Sequence, residues 1–280
     1  MDIREISLPL LFPIDLSLTV ASHGWAYLAP WHWDHEAGVL ARSERIDGVL
    51  GMIAVRQRDA GALVVSSDGF AHLAEPAIVR RVSRWLSADW DPADAIVALG
   101  EDSALIRSGG GRILRCSSFY EDFVKTALTI NTAWTSTCRM VAALVEEPGG
   151  GAFPLPGEII EYGEARLRTR TKLGFRAATI IAATSRMLEE HVIDQDGQGE
   201  PDHDYLIGLK GIGPYAAAHC RLLLHDFSRL PIDSAVTAHL RERYASDPAS
   251  FTEGRSAWGD YLALGYRLLR LREKLEIASL

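Results

Sequence analysis

The first hundred residues alternate between short β-type segments and turn signals. Residues 14–20 alternate strictly between apolar and polar side chains, which predicts a half-buried strand. Two β-rich segments, 49–56 and 62–66, follow between Gly and Asp turn signals. Residues 77–86 then place apolar side chains at helical spacing. This pattern predicts a small antiparallel sheet with a helix on one face.

The pattern changes to helices from about residue 117. An apolar stripe predicts one long helix over 119–145, which Pro148 and the three glycines after it would end. Further helices are predicted at 156–163, 174–190, 202–209, 214–225, 234–244 and 255–275. The fold class is therefore α+β, with an antiparallel-sheet domain over residues 1–110 and a helical domain over residues 111–280.

Composition indicates a folded protein. The 280 residues are 48% hydrophobic and 24% charged, and no apolar run is long enough to span a membrane. Acidic residues within the first five positions argue against a secretory signal. Three widely spaced cysteines exclude a paired-cysteine zinc site or an iron–sulfur cluster and predict reduced thiols in the cytoplasm.

The net charge of −8 argues against a nucleic-acid partner until its distribution is considered. Residues 189–204 hold seven acidic residues and no lysine or arginine, and 194–204 is predicted to be an exposed loop. The rest of 101–280 has 21 basic against 17 acidic residues, a net charge of +4. A locally positive face is therefore compatible with the overall acidity.

The segment 206–217 carries the clearest chemical signal. A predicted helix ends near Gly208, a tight turn passes through Gly211-Ile212-Gly213, and Pro214 opens the next helix. Glycines let a ligand approach the backbone, and the free N–H groups of a helix N-terminus favour phosphate.

Two other interpretations of this turn remain open. The segment from Gly211 matches GxGxxA, the dinucleotide-binding pattern, but that pattern requires a preceding strand, whereas 202–209 is predicted to be helical. The turn could also connect two packed helices without binding any ligand.

Asp233 follows Pro231-Ile232, 22 residues after Gly211, and directly precedes a predicted helix. An aspartate in that position is most often a helix N-cap. Taken together, the glycine hairpin and the Pro-Ile-Asp step resemble the helix-hairpin-helix DNA glycosylase superfamily. The segment 174–177, Gly-Phe-Arg-Ala, and the predicted helix from Asp122 extend the resemblance. The resemblance is strongest to the 3-methyladenine DNA glycosylase II and 8-oxoguanine DNA glycosylase branches. These branches have an extra TBP-like sheet domain, and residues 1–110 resemble that domain.

The resemblance implies a base-excision-repair hydrolase that flips a damaged base out of double-stranded DNA. It assigns catalysis to Asp233 and the filling of the gap left by the flipped base to Asn131. Its implied base pocket consists of Tyr215, His219, Trp258 and Tyr261. Its implied DNA backbone contacts are the hairpin residues Gly211, Ile212 and Gly213. Separately, a run of five basic residues without an acidic one, Arg166, Arg168, Arg170, Lys172 and Arg176, indicates either a surface along the DNA backbone or a solvated helix face.

The resemblance also implies a monovalent cation, Na⁺ or K⁺, held by the backbone carbonyls of Ile207, Leu209 and Ile212, and no other cofactor. A monomer acting on the DNA of a bacterial-type nucleoid is expected.

Several departures from the family pattern bear on the reaction. Tyr215 stands where the bifunctional branch has a nucleophilic lysine, so a lyase step is not expected. Ala235 replaces a histidine that many members have after the catalytic aspartate, and no four-cysteine cluster follows. Asn131 matches the 8-oxoguanine branch. The expected function is monofunctional excision of an alkylated purine. The alternatives are excision of 8-oxoguanine and a damaged-DNA-binding protein that does not cut.

Overall fold

A computed structural model describes residues 3–278 and contains one five-stranded antiparallel sheet in the N-terminal part. The strand order is β1-β5-β4-β3-β2, so the first strand pairs with the last. The sheet and a short helix consist of β1 (Arg4–Pro9), α1 (Leu16–Val20), β2 (Trp31–Asp34), β3 (Val39–Ile46), β4 (Val49–Asp59) and β5 (Ala62–Asp68). The two predicted β-rich segments lie within β4 and β5, as expected.

The predicted strand over 14–20 is wrong, because Leu16–Val20 form α1 and Asp15 is its N-cap. The Asp15 carboxylate accepts a hydrogen bond from the Leu18 amide at 2.9 Å and caps the helix. Leu16, Thr19 and Val20 are the buried residues, and a three-to-four-residue spacing is helical. A seven-residue window carries too few positions to separate this spacing from alternation.

Helices dominate the remainder of the chain, which confirms the α+β class. They are α2 (Glu75–Trp85), α3 (Ala93–Leu99), α4 (Ala104–Arg107), α5 (Phe119–Thr129), α6 (Trp134–Glu146), α7 (Pro156–Tyr162), α8 (Glu164–Thr169), α9 (Arg176–Glu189), α10 (His203–Ile207), α11 (Pro214–Leu223), α12 (Ser234–Tyr244), α13 (Pro248–Gly254) and α14 (Leu262–Ala278). Short 3₁₀ helices lie at Gly24–Tyr27, Gly100–Ser103 and Ser256–Tyr261.

The single long helix predicted over 119–145 is also wrong, because α5 and α6 are separated by the loop 130–133. Asn131 has φ of +48°, a left-handed conformation that asparagine tolerates better than most residues. The β-branched side chains of Ile130 and Thr132 favour an extended backbone over a helical one. The loop carries Asn131 to the surface, where its side chain is exposed.

The sheet is fixed to α5 by a buried cluster of charged side chains. Arg42 on β3 contacts Glu44 at 2.6 Å and Glu121 of α5 at 2.9 Å. Lys125, one turn along α5, contacts Glu121 at 2.7 Å. Because buried charges are stable only when paired, this cluster sets how the sheet docks on the helices.

Three further expectations concern the whole chain. Cys116, Cys138 and Cys220 are free thiols. Within residues 3–278, no helix has the length and apolarity needed to cross a membrane. The predicted domain boundary at 110/111 falls between α4 and α5 and stays a prediction.

Candidate active site

The glycine hairpin is formed by α10, the turn 208–213 and α11. Gly211 has φ of +86°, and a Cβ there would lie 3.1 Å from the Thr179 side chain, so conformation and space both require glycine. The element before the turn is a helix capped by Asp202, not a strand. The dinucleotide-binding interpretation is therefore wrong.

The turn presents the N-terminus of α11 to an open surface. Gly213 is the N-cap and provides no side-chain acceptor, and Pro214 occupies the first turn. A Cβ built on Gly213 would meet nothing within 4 Å, so this backbone is approachable. First-turn amides of a helix have no intrahelical acceptor. The geometry thus favours an anion at this end of α11.

Asp233 is the N-cap of α12, which confirms that part of its interpretation. Its Oδ1 accepts a hydrogen bond from the Val236 amide at 2.7 Å. No other hydrogen bond to this carboxylate is made by residues 3–278. The cap fixes the orientation of the side chain and leaves Oδ2 available to a ligand.

Asp233 lines a cavity of about 710 Å³ that opens between the two halves of the molecule. The predicted residues Tyr215, His219 and Asn131 line the same cavity. The other parts of its wall come from residues 23–25, the loop 130–132, residues 230–234 and α14. The structure thus brings together four of the side chains that the sequence singled out.

Aromatic rings form one wall of the cavity. Tyr215 and His219 stack at 5.9 Å between ring centroids, one turn apart on α11. Trp25 and His23 contact His219 edge-on at 5.3 Å and 5.8 Å. Both come from the N-terminal part of the chain, about two hundred residues before Asp233, so nothing in the local sequence predicts their place here.

The imidazoles of this wall are neutral. Burial, helped by the positive charge of Arg267, lowers the pKa of His219 to about 3. Burial also lowers the pKa of His23 well below its usual value. The Nε2 of His23 lies 2.6 Å from the Leu114 carbonyl oxygen, which can only accept, so Nε2 carries the proton and Nδ1 is an acceptor.

Trp258 and Tyr261 do not line this cavity, which corrects the prediction for both. The Trp258 indole N–H donates to Asp102 at 3.2 Å, and its ring contacts Phe251 edge-on. Tyr261 lies against Phe227, with 6.3 Å between ring centroids. Trp258 is a buried core residue, and Tyr261 is half-buried against the core.

Arg176 makes contacts within the protein, and its predicted contact with the DNA backbone stays a prediction. Its Nη2 donates to the carbonyl of Ile130 at 2.7 Å and to that of Asn131 at 3.1 Å. These bonds hold the loop that carries Asn131. Arg170 forms an ion pair with Glu147 at 3.3 Å on the surface, whereas Lys172 is exposed and forms no ion pair within residues 3–278.

The predicted cation site consists of backbone carbonyls before and within the hairpin turn. The Leu209 carbonyl accepts the Ile212 amide at 3.1 Å and keeps a second lone pair. This arrangement is compatible with ligation of a monovalent cation by Ile207, Leu209 and Ile212, which stays a prediction.

Comparisons with known proteins place this architecture. No protein-family model matches the sequence, and no curated protein matches it. A 3-methyladenine DNA glycosylase from Archaeoglobus fulgidus is similar in structure, with a TM-score of 0.73 and 17% identity over 95% of this chain and 98% of that one. An 8-oxoguanine glycosylase/lyase from Clostridium acetobutylicum in its apo form has a TM-score of 0.71 and 16% identity over 95% of each chain.

A structure of the Clostridium acetobutylicum enzyme with double-stranded DNA containing cytosine opposite 8-oxoguanine has a TM-score of 0.67 and 16% identity over 99% of each chain. The sheet, the helical region and the hairpin therefore belong to one known architecture. This chain has the fold of the helix-hairpin-helix DNA glycosylases.

Proposed function

We propose that this protein is a monofunctional DNA glycosylase, which hydrolyses the N-glycosidic bond of a base flipped out of double-stranded DNA. The observation that carries the proposal is the position of Asp233. Its oriented carboxylate lies in the wall of a cavity large enough to hold a base and belongs to the helix that follows the glycine hairpin along the chain. The similar solved structures are those of DNA glycosylases.

Three surface features around the cavity fit a DNA duplex. The hairpin Gly211-Ile212-Gly213 offers backbone amides to one phosphate. Asn131, on the rim, is placed to enter the space that a flipped base leaves in the stack. Phe175 is 71% exposed beside Asn131 and offers an aromatic face for a base.

The remaining predicted DNA contacts are proposed on charge alone. Lys172 and Arg170 would neutralise DNA phosphates. Arg170 would give up its weak surface ion pair with Glu147 and form one with a phosphate instead. A Na⁺ or K⁺ ion on the carbonyls of Ile207, Leu209 and Ile212 would add positive charge beside the hairpin phosphate. A monomer suffices for this mode of binding.

The reaction assigned to Asp233 follows from the charge that develops at the sugar. Loss of the base leaves C1′ with oxocarbenium character, which a nearby carboxylate stabilises. Oδ1 is occupied by the helix amide, so Oδ2 is the atom that would orient water toward C1′ and accept its proton. The water oxygen bonds to C1′, and the base leaves with the electrons of the C–N bond.

Two observations support hydrolysis without a lyase step. Burial raises the pKa of the Tyr215 phenol, so this group is protonated at neutral pH and is not a nucleophile. None of the described residues that line the 710 Å³ cavity is a lysine, and Lys274, which lines the neighbouring cavity with Asp233, is an exposed residue of α14. Lys125, the nearest in sequence to the rim, is buried and paired with Glu121.

The substrate is proposed to be a damaged purine, as the family resemblance implies, and the cavity of about 710 Å³ is large enough for a bicyclic base. Alkylated purines and 8-oxoguanine both fit a cavity of this size. They differ in charge, because the commonest alkylation products at ring nitrogens are cationic as nucleosides whereas 8-oxoguanine is neutral.

Single-turnover excision from duplexes that contain alkylpurines, hypoxanthine, 8-oxoguanine or uracil tests the proposal. We expect Asp233→Asn to reduce the rate on the best substrate by about 10²–10³-fold, as loss of a preorganised charge does. Asp247→Asn is the matched control, because Asp247 caps α13 in the same way but lies outside the cavity. Asparagine caps helices as well as aspartate does, so both variants should fold.

Two results would contradict the proposal. Equal loss of activity in both variants would mean that Asp233 acts only as a cap. Tight binding to damaged duplexes with no product from any of them would instead support a damaged-DNA-binding protein.

A further inference from the structure

Helix α14 places a charged side chain on the face that packs into the protein. Arg267 lies between Leu264 and Leu268, both of which are buried. It lines the 710 Å³ cavity with Asp233 and also a neighbouring cavity of about 440 Å³. An arginine in this position is unexpected on a helix face that otherwise contributes to the core.

The guanidinium of Arg267 is not neutralised by the protein. Its Nε and Nη2 atoms are buried and have no hydrogen-bond partner among residues 3–278. Burial lowers its pKa to about 10, so it stays positively charged at neutral pH. A buried donor without an acceptor is unfavourable, and the cost is removed when a ligand supplies one.

A neutral acceptor lies close to this charge. The Nδ1 of His23 is buried, unpaired and unprotonated, because Nε2 holds the proton toward the Leu114 carbonyl. His23 and Arg267 both line the 710 Å³ cavity and the neighbouring 440 Å³ cavity. The cavity therefore offers a cationic donor and a neutral acceptor near one another.

This pair complements a carbonyl oxygen next to a ring N–H, the edge that 6-oxopurines present at O6 and N1–H. Arginine is the side chain most often bonded to the O6 and N7 acceptors of guanine, because its planar fork matches them. A cationic base in the same cavity would be repelled by the guanidinium, because both carry a positive charge.

We propose that Arg267 is a specificity-determining residue that selects neutral purines with a C6 carbonyl, such as hypoxanthine and 8-oxoguanine, over cationic alkylpurines. The inference rests on the glycosylase function proposed above. It also reverses the substrate preference that the family resemblance implied, because the expected alkylated purines are the disfavoured class.

The test compares hypoxanthine, 7-methylguanine and 3-methyladenine in otherwise identical duplexes. 7-Methylguanine keeps the C6 carbonyl but is cationic, and 3-methyladenine is cationic and lacks the carbonyl. Because cationic bases leave DNA faster on their own, each single-turnover rate is divided by the spontaneous rate. We expect this ratio to be at least about 10-fold higher for hypoxanthine, a difference that one strong contact supplies.

Arg267→Met removes the charge and keeps a long side chain. We expect it to reduce hypoxanthine excision by about 100-fold, in the range of one charge-assisted hydrogen-bonded contact, and to leave the rates on the two cationic bases unchanged or raised. Arg272→Gln is the control, because Arg272 is on the same helix but faces Asp102 at 3.7 Å, outside both cavities. It should retain the wild-type ratios.

A binding measurement keeps the proposal testable if no base is excised. Asp233→Asn is combined with Arg267→Met, and the fluorescence anisotropy of labelled hypoxanthine and undamaged duplexes is compared with that of Asp233→Asn alone. We expect the preference for hypoxanthine to be lost with Arg267. If the wild type excises no base, but Asp233→Asn prefers the hypoxanthine duplex and the double variant does not, the proposed function is refuted and the role of Arg267 is supported.

Three outcomes would overturn the inference while leaving the glycosylase proposal intact. The first is a higher normalised rate on the cationic bases in the wild type. The second is an equal loss on all bases in Arg267→Met, which indicates a structural role. The third outcome combines two results: Arg267→Met unfolds at a temperature well below that of the wild type, and Arg267→Lys restores the activity on all bases. Together they would indicate that Arg267 stabilises the fold and does not select the base.

Discussion

One buried histidine, His219, and two half-buried ones, His23 and His225, are expected to make the stability of this fold sensitive to mild acid. Burial lowers the pKa of His219 to about 3 and that of His225 to about 2, and it lowers the pKa of His23 as well. The ordinary value is 6.5. Below about pH 6.5 the unfolded chain therefore binds protons that the folded chain does not, so the stabilisation is complete above that pH and is lost as the pH falls.

The magnitude follows from the linkage relation. For a histidine that is neutral in the fold, lowering the pH from 7 to 5 reduces the free energy of unfolding by about 2 kcal/mol. Three such residues give an upper limit of about 6 kcal/mol, a large part of the stability of a typical domain. Most carboxylates titrate below this window, so histidine protonation dominates the change.

Urea unfolding at pH 7 and at pH 5 measures this loss. His225→Asn removes one contributor outside the cavity, and asparagine suits the left-handed backbone at this position, where φ is +65°. We expect the variant to lose about 2 kcal/mol less than the wild type between the two pH values. His191→Asn is the matched control, because His191 also has a positive φ, +54°, but its side chain is exposed.

An equal loss of unfolding free energy between pH 7 and pH 5 in His225→Asn, in His191→Asn and in the wild type would refute this prediction. The prediction would also be refuted by a wild-type free energy of unfolding that does not change between pH 7 and pH 5.

Two further predictions concern the DNA-facing surface. Gly211→Ala should destabilise the fold by about 1–2 kcal/mol, because alanine is strained at a φ of +86°. It should also weaken binding to damaged and undamaged duplexes alike. Urea unfolding measures the first effect, and fluorescence anisotropy measures the second. Gly254→Ala, at a glycine with open space around it, is the control for Gly211→Ala and should change neither. Arg176→Met should release the loop 130–133 and slow excision by about 10-fold or more with little change in hairpin binding, because a misplaced group costs rate. An unchanged excision rate in Arg176→Met would show that the loop holds its position without these bonds.

The hairpin and the Asp233 helix could be predicted from the sequence because their signals are local. A Gly-x-Gly-Pro turn at a helix start and an aspartate before a helix each depend on a few neighbouring residues. The α+β class was also accessible, since strand and helix periodicities occupy different parts of the chain. The break between α5 and α6 was missed because the apolar stripe continues across the loop 130–133.

The composition of the cavity wall depends on contacts between distant parts of the chain. His23 and Trp25 reach the cavity because the segment before β2 packs on α5, where the Trp25 indole donates to Asp122 at 2.9 Å. Trp258 was assigned to the wall by analogy, but the structure turns it into the core. Arg267 did leave a signal in the sequence, an arginine within the apolar stripe of the last helix, which periodicity alone does not connect with a site.

The products of the reaction test the central claim most directly. Mass spectrometry of both the released small molecules and the DNA strand would follow incubation of the wild-type chain with damaged duplexes. We expect a free base and an intact strand that carries an abasic sugar and breaks only after alkali, with both products formed about 10²–10³-fold more slowly by Asp233→Asn. A strand broken without alkali, or duplexes that are bound but unchanged, would contradict the central claim.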